Sequence, residues 1–299
     1  MKKIIFFTQN RWAFGSIHHA LAKELWKHGV YSNLLDWTVG YTKEEFSLFK
    51  DTYDLFVTMP DAVLTLHREF DVPLNRIVAV AHGQWDILLA REQGGLDFYQ
   101  HLAGFGVISN ILLEKCREWG IGIEPKVVPL GIHVKMYSRD PARELRVVGY
   151  GGANETKNWF GQEIKRPHLV EKTLDGMGLE LKRHKFYNHL AMAGYYGTVD
   201  CILQTSMEEA GGLPMMEAAA SGRLPIGTPV GYLPEHAPSG GLLAPLEEGE
   251  FVEKTREYLS YYKANPDKFR KKCMEVQEFA YRNYDWRLKI GKWMELFGI

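Results

Sequence analysis

The chain contains 299 residues, which is long enough for two domains of ordinary size. Hydrophobic residues make up 45% of it and charged residues 24%, a composition typical of soluble globular proteins. With 36 Lys and Arg against 37 Asp and Glu, the net charge of −1 excludes the large class of proteins that bind nucleic acid through an overall basic charge.

The cysteines and the apolar segments indicate the cellular compartment of the protein. Cys116, Cys201 and Cys273 lie far apart and form no Cys-x-x-Cys pair, so we expect neither a disulfide framework nor a zinc site. The apolar run at residues 4–7 is too short for a signal peptide, and no stretch reaches the length of a membrane span. We therefore expect a cytoplasmic protein without a transmembrane segment.

The first half of the chain alternates short apolar runs with helical patterns. Continuous apolar runs, typical of buried parallel strands, occur at residues 4–7, 55–58, 77–81, 107–109 and 127–129. After a loop over residues 8–15, a helix is predicted from about residue 16 to residue 28. This alternation indicates a doubly wound parallel sheet. His18 and His19 are expected on the helix face as ordinary polar residues.

One predicted strand of this half runs directly into His82. Ligands bind at the carboxyl edge of open α/β sheets, so the imidazole is expected on the ligand side. A loop histidine bonded to nearby backbone is the alternative interpretation. Gly15 occupies a strand-to-helix turn of the same edge, and Trp85 and Asp86 follow His82 closely.

A second βα pattern begins at residues 145–150. Asn154 stands where a Gly-x-Gly-x-x-Gly motif would have its last glycine, which argues against a dinucleotide-dependent dehydrogenase. Lys165 and Arg166 precede a helix predicted over about residues 168–176. Cations at a helix N-terminus oppose its dipole, and an anion bound between them would remove the conflict. A solvated Lys-Arg pair is the alternative.

Two carboxylates flank a glycine-rich turn after the predicted strand at residues 199–204. Glu209 and Glu217 are separated by seven residues. Pro214 suits the first helical position and Gly222 the stop, so Glu217 is predicted in the first turn of a helix. Glycines let backbone N–H groups approach a ligand, and a helix N-terminus favours phosphate. Carboxylates can bind the hydroxyls of a sugar, and main-chain amides can bind a diphosphate. The two together indicate a nucleotide-sugar site. Two solvated acids beside a well-capped helix are the alternative.

This stretch resembles the Glu-x7-Glu signature of the retaining GT-B glycosyltransferases of family 4. The similarity extends through three further segments, Ala220-Ser221-Gly222, Pro225-Ile226-Gly227 and Gly231-Tyr232-Leu233-Pro234-Glu235. In the first half, Pro129-Leu130-Gly131-Ile132-His133 is similar to the Pro-Asn-Gly-Val-Asp signature that closes the first domain in this family. Leu130 and His133 replace the Asn and the Asp of that signature.

The resemblance implies an α/β GT-B fold, with two Rossmann-like domains facing across a cleft. It implies an acceptor-side domain at residues 1–135, a nucleotide-sugar domain at 136–283 and a last helix at 284–299 that crosses back to the first domain. The implied activity is retaining, metal-independent transfer of a hexose from a nucleotide-diphospho-sugar, with a UDP-sugar favoured, to an acceptor hydroxyl. No cofactor is expected besides the donor substrate.

The resemblance also implies roles for individual residues. Glu209 contacts the sugar, Glu217 accepts hydrogen bonds from the ribose, and the amides from Gly212 to Met216 hold the diphosphate with Lys165 or Arg166. The implied catalytic residues are Glu209, His82 and Lys165. The implied donor-binding residues are Gly15, Arg166, Gly212, Leu213, Met215, Met216 and Glu217. Trp85 and Asp86 are candidates for contacts to the acceptor.

Two other functions fit the same residues. A non-catalytic protein that binds sugar nucleotides or glycans would bind the donor without hydrolysing or transferring it. A sugar-nucleotide epimerase or hydrolase would form product with no acceptor present. Within the transferase interpretation, the acceptor is a glycan, a lipid-linked sugar, a small metabolite or a modified DNA base, and the sequence favours none of these. The oligomeric state does not follow from the sequence.

Overall fold

A computed structural model describes residues 2–9, 13–92, 96–152, 157, 161, 163–184 and 189–299. Its strands form two parallel sheets connected by helices, which confirms the predicted α/β class. The chain divides into two compact units, one of residues 1–131 with 286–299 and one of residues 132–285. None of the helices in these described ranges is long and apolar enough to cross a membrane.

The strands and helices have the following bounds. The strands are β1 Lys3–Thr8, β2 Tyr31–Asp36, β3 Leu55–Thr58, β4 Ile77–Ala81, β5 Gly104–Val107, β6 Lys126–Val127, β7 Val147–Tyr150, β8 Glu180–Lys182, β9 Cys201–Gln204, β10 Leu224–Gly227 and β11 Leu242–Leu243. The helices are α1 Ala13–Lys27, α2 Lys43–Thr52, α3 Gln84–Glu92, α4 Asn110–Glu118, α5 Val134–Tyr137, α6 His168–Leu174, α7 His189–Tyr196, α8 Leu213–Ala220, α9 Leu233–His236, α10 Glu248–Ala264, α11 Pro266–Asn283 and α12 Trp286–Leu296.

The sheet of the first unit has six strands in the order β2-β1-β3-β4-β5-β6. Both β3 and β4 are buried at every residue, because helices cover the two faces of a parallel sheet, and their continuous apolar runs reflect this. The sequence pattern does not predict β2. This strand lies at the sheet edge, and its burial alternates along Tyr31, Ser32 and Asn33, so it lacks a continuous apolar run.

The last helix, α12, packs on the sheet of the first unit. The indole Nε1 of Trp293 donates to the carbonyl of Pro129 at 3.0 Å. A Cβ on Gly106 would lie 2.8 Å from the Leu296 side chain, and one on Gly131 would lie 2.7 Å from the Trp286 ring. At Gly131 the Cβ would also lie 2.8 Å from the Trp286 backbone, so glycine is required there for this close approach.

The sheet of the second unit has five strands in the order β11-β10-β9-β7-β8. The strand β9 is buried at all four residues and pairs with β7 on one side and β10 on the other. Its carboxyl end therefore lies in the middle of the sheet edge formed by the carboxyl ends of the strands, where ligands bind in open α/β sheets. The segment that follows β9 carries Glu209 and leads into α8.

Candidate functional site

Main-chain contacts shape the loop between β9 and α8. The amide of Gly231 donates to the carbonyl of Glu209 at 3.0 Å, and the amide of Tyr232 donates to that of Gly211 at 3.1 Å. Gly212 is the N-cap of α8 with a φ of 77°, a left-handed conformation that favours glycine. No side chain in the described part of the chain caps this helix. A helix N-terminus without a side-chain cap presents main-chain donors to an anion.

The residues that follow Gly212 enter the first turn of α8. Leu213 is the first helical residue and Pro214 the second. The amide of Met215 donates to the carbonyl of Gly212 at 3.0 Å, and the side chains of Met215 and Met216 are buried. The two methionine side chains therefore serve packing, and a contact from this turn to a ligand would come from the main chain.

Lys165 and Glu209 are brought together from separate segments. Lys165 Nζ forms an ion pair with Glu209 Oε1, and the same oxygen accepts from Ser206 Oγ at 2.8 Å. The two charged side chains are only 17% and 21% exposed. The pair is therefore partly shielded from water, where the interaction between opposite charges is stronger than at an open surface. A bound phosphate would offer Lys165 a second anionic partner.

Arg166 makes different contacts from its neighbour Lys165. Its φ of 43° lies in the left-handed region, which is uncommon for a residue with a side chain. The guanidinium is buried, Nε donates to the carbonyl of Thr205 at 2.8 Å, and Nη1 donates to that of Leu246 at 2.8 Å. Burial lowers the pKa of Arg166 from its usual value. These contacts fix two loops, and the predicted role of Arg166 in donor binding stays a prediction.

Glu217 lies in the second turn of α8, because the helix begins at Leu213, so its predicted place in the first turn is wrong. Only 3% of Glu217 is exposed. Its Oε1 accepts from the hydroxyl of Tyr137 and its Oε2 from that of Tyr196, both at 2.8 Å. Burial first and then the charge of Glu217 raise the pKa of both tyrosines, so the hydroxyls remain donors at neutral pH. The carboxylate thus connects α5, α7 and α8.

Gln204 is a residue of this region that the sequence analysis did not single out. It is the last residue of β9 and is 2% exposed. Neither its Oε1 nor its Nε2 has a hydrogen-bond partner in the described residues. The signal that could have identified it is a glutamine at the end of an otherwise apolar strand.

His82 follows β4 at the carboxyl edge of the first sheet, as predicted from its position. It is buried with 7% exposed, and neither ring nitrogen has a hydrogen-bond partner within the described ranges. The rings of Phe14 and His18 each pack edge-on against it, with centroids 5.3 Å away. Burial lowers the pKa of His82 to about 3. His82 is therefore neutral at physiological pH.

The contacts of His18 and Gly15 differ from those expected. His18 is fully buried and stacks on Phe6, with centroids 5.1 Å apart, so its predicted place as an ordinary polar residue on the helix face is wrong. Burial first, and then His82, hold its pKa well below the usual value. Gly15 lies within α1 and not in a loop before it, because the helix begins at Ala13. As a residue inside an α-helix, it has a backbone conformation that does not require glycine. Its donor-binding role stays a prediction.

Asp86 and Trp85 lie in the first turn of α3. Asp86 Oδ2 accepts from the main-chain amides of His82 at 2.7 Å and of Gly83 at 2.9 Å. The carboxylate therefore reaches back from the first turn to the amides that precede the helix and fixes the backbone that carries the imidazole. Trp85 is half-buried. Contacts from either residue to an acceptor stay a prediction.

Among the described residues, no group of three or more His, Cys, Asp or Glu side chains is arranged to hold a metal ion. The three cysteines are free and buried.

The chain shares its fold with glycosyltransferases of known structure. No protein-family model and no curated protein matches the sequence. A sucrose-phosphate synthase from Thermosynechococcus elongatus aligns with a TM-score of 0.74 and 16% identity over 99% of this chain and 98% of its own. HepE from Anabaena, in complex with UDP-glucose, aligns with a TM-score of 0.72 and 13% identity over 100% of both chains. A glycosyltransferase from Rickettsia africae has a TM-score of 0.59 and 14% identity, covering 99% of this chain and 97% of its own. At these identities the similarity shows the fold, and the predicted GT-B class is confirmed.

Proposed function

We propose that the protein is a glycosyltransferase that moves a hexose from a nucleotide-diphospho-sugar, with a UDP-sugar favoured, to an acceptor hydroxyl. The observation that carries the proposal is the Lys165–Glu209 ion pair. Glu209 lies on the loop between the carboxyl end of β9 and the N-terminus of α8, and Lys165 reaches it from the segment before α6. The bound UDP-glucose of HepE, a protein of the same fold, supports a UDP-sugar as donor.

The diphosphate binds at the start of α8 in this proposal. The main-chain amides and the positive end of the helix dipole favour an anion there. Lys165 moves its ion pair from Glu209 to a phosphate oxygen and stabilises the negative charge that grows on the leaving diphosphate. A cationic side chain and a helix dipole then supply the charge stabilisation, and the proposed reaction is metal-independent.

Release of Lys165 leaves Glu209 available to the sugar. Its carboxylate accepts hydrogen bonds from hydroxyl groups, while Ser206 Oγ, at 2.8 Å, keeps the side chain in position. This exchange of partners couples diphosphate binding to sugar binding, because Lys165 releases Glu209 for the sugar when it binds the phosphate.

We propose retention of configuration, as the resemblance to family 4 implies. The bond from C1 of the sugar to the β-phosphate oxygen breaks while the bond to the acceptor oxygen forms on the same face. The proton of the acceptor hydroxyl passes to the leaving diphosphate. The catalytic role implied for His82 stays a prediction: burial lowers its pKa to about 3, so the imidazole is neutral at physiological pH and is not a general acid.

Two roles assigned by resemblance fall on side chains that are already engaged. For Glu217 to bind the ribose, the ribose hydroxyls must reach a carboxylate that is only 3% exposed and already accepts from Tyr137 and Tyr196. Arg166 must reach the diphosphate with a guanidinium that already holds two carbonyls. Lys165 and Glu209 are therefore the stronger candidates for direct contact with the donor.

A screen of UDP-, GDP- and ADP-sugars by thermal shift tests the proposal. A ligand that binds only the folded protein stabilises it by about 2.7 kcal/mol at 100 times its Kd, and the shift grows with the logarithm of concentration. The selected donor should then be hydrolysed slowly or transferred. Stabilisation by none of them contradicts the proposal. Binding without turnover favours a non-catalytic binding protein, and rapid product formation without an acceptor favours an epimerase or hydrolase.

A further inference from the structure

Gln204 presents an unpartnered amide to the N-terminus of α8. It is the last residue of β9, and its side chain is buried while both amide atoms lack a partner in the described part of the chain. A Cβ built on Gly212 would lie 3.4 Å from Gln204 Oε1 and 3.6 Å from Nε2. The amide therefore faces the N-cap of the helix with no side chain between them.

Neither packing nor the fold accounts for a glutamine at this position. The other residues of β9 include Ile202 and Leu203, and the strand lies in the middle of its sheet. A buried amide without partners destabilises a protein, since it has lost its hydrogen bonds to water and gained none. A methionine has a similar length and would fill the space without this penalty. A ligand that forms hydrogen bonds with both amide atoms would explain why a glutamine is present.

The chemistry of the amide selects the class of that ligand. A carboxamide has one acceptor oxygen and one donor nitrogen. A phosphate oxygen accepts only, so a diphosphate would satisfy Nε2 and leave Oε1 without a partner. A hydroxyl both donates and accepts, and neighbouring hydroxyls satisfy both ends at once. This conclusion is the same for either orientation of the amide.

We propose that Gln204 is a specificity-determining residue that hydrogen-bonds the hydroxyls of the transferred sugar and not the diphosphate. The proposal rests on the proposed function, because it assumes that a nucleotide-sugar binds at α8. Ser206 and Glu209 follow on the same loop, so the hydroxyl-binding groups come from one short segment. Gly212, which faces the amide, has no side chain. Because Gln204 is only 2% exposed, the proposal requires the backbone at Gly212 to move aside when the sugar binds.

The test compares a nucleoside diphosphate with its sugar derivative. For the wild type and Gln204→Met, isothermal titration gives the Kd of UDP and of UDP-glucose, or of the equivalent pair that the thermal-shift screen selects. We expect the Kd of UDP to stay within about twofold and that of UDP-glucose to rise about tenfold, because two neutral hydrogen bonds are lost. The melting temperature of the ligand-free variant should equal or exceed that of the wild type.

Gln277→Met is the matched control. Gln277 Nε2 donates to the carbonyl of Ala220, at the other end of α8, at 3.1 Å, and to that of Arg139 at 2.8 Å. The same substitution there should leave the ratio of the two Kd values unchanged, even where it lowers stability.

Three outcomes would overturn the inference. An unchanged Kd ratio in Gln204→Met, or an equal loss for both ligands, shows that Gln204 does not contact the sugar, while wild-type binding still upholds the proposed function. A lower melting temperature of ligand-free Gln204→Met shows that the amide stabilises the fold. Failure of the wild type to bind any such pair contradicts the proposed function, and the inference with it.

Discussion

Replacing Tyr196 with phenylalanine removes one hydroxyl from the group that holds Glu217. That hydroxyl donates to Glu217 Oε2 at 2.8 Å, and the carboxylate is 3% exposed, so water does not readily replace the lost donor. A hydrogen bond to a charged group contributes about 1.5–3 kcal/mol to stability. We therefore expect Tyr196→Phe to lower the free energy of unfolding by about 2 kcal/mol, measured by urea denaturation at pH 7.

The same group makes stability depend on alkaline pH. Burial and Glu217 raise the pKa of Tyr196 well above its usual value of 10, so at high pH the unfolded chain releases a proton that the folded chain retains. Stability is then fully present below pH 10 and falls as the pH rises above it. In Tyr196→Phe this fall should be shallower.

Tyr261→Phe is the control for Tyr196→Phe. Tyr261 is 50% exposed on α10 in the same unit, and its substitution should change stability by less than about 0.5 kcal/mol. A loss below about 0.5 kcal/mol in Tyr196→Phe, or an unchanged alkaline profile, would refute the conclusion that the tyrosine holds a buried carboxylate.

Two further predictions concern buried polar groups. His82 has a folded-state pKa of about 3 against about 6.5 unfolded, so its contribution to stability is present above pH 6.5 and is lost as the pH falls toward 3. Denaturation of His82→Leu should show a shallower loss over this window, and an identical profile in wild type and variant would contradict a buried neutral imidazole. Arg166→Ala should lose about 3 kcal/mol in urea denaturation, because the carbonyls of Thr205 and Leu246 lose their donor. The control Arg282→Ala removes a 74%-exposed side chain and should change stability by less than about 0.5 kcal/mol, and an equal loss in both variants would contradict the anchoring role.

The sequence predicts those parts of the fold that depend on local patterns. Continuous apolar runs predict β3 and β4, since strands buried on both faces need apolar residues throughout. The loop after β9 and the start of α8 follow from glycine and Pro214, whose backbone preferences are local. The edge strand β2 is not predicted, because only Ser32 and Leu35 of its six residues are buried and it has no continuous apolar run.

The candidate site was predictable in part. The positions of motif residues can be read from the local sequence, whereas the burial of a side chain depends on tertiary packing. The spacing from Glu217 singled out Glu209, and the position before a predicted helix singled out Lys165. The two residues form an ion pair in the folded chain. The burial of Glu217 by two tyrosines from separate helices depends on tertiary packing, and no spacing predicts it. His18 shows the same limit, since a helix pattern does not tell which polar residue the sheet will cover.

The central claim is that Lys165 and Glu209 bind the donor of a glycosyl transfer. The most direct measurement is the affinity and hydrolysis of the selected nucleotide-sugar in the wild type, Lys165→Ala and Glu209→Gln. Lys172→Ala, an exposed lysine on α6, is the control. We expect Lys165→Ala to weaken the nucleoside diphosphate and its sugar derivative alike, by about tenfold or more, since a charge-assisted contact is lost. Glu209→Gln should lower turnover while leaving diphosphate affinity within a few-fold. Wild-type affinity and hydrolysis in both variants would contradict the claim.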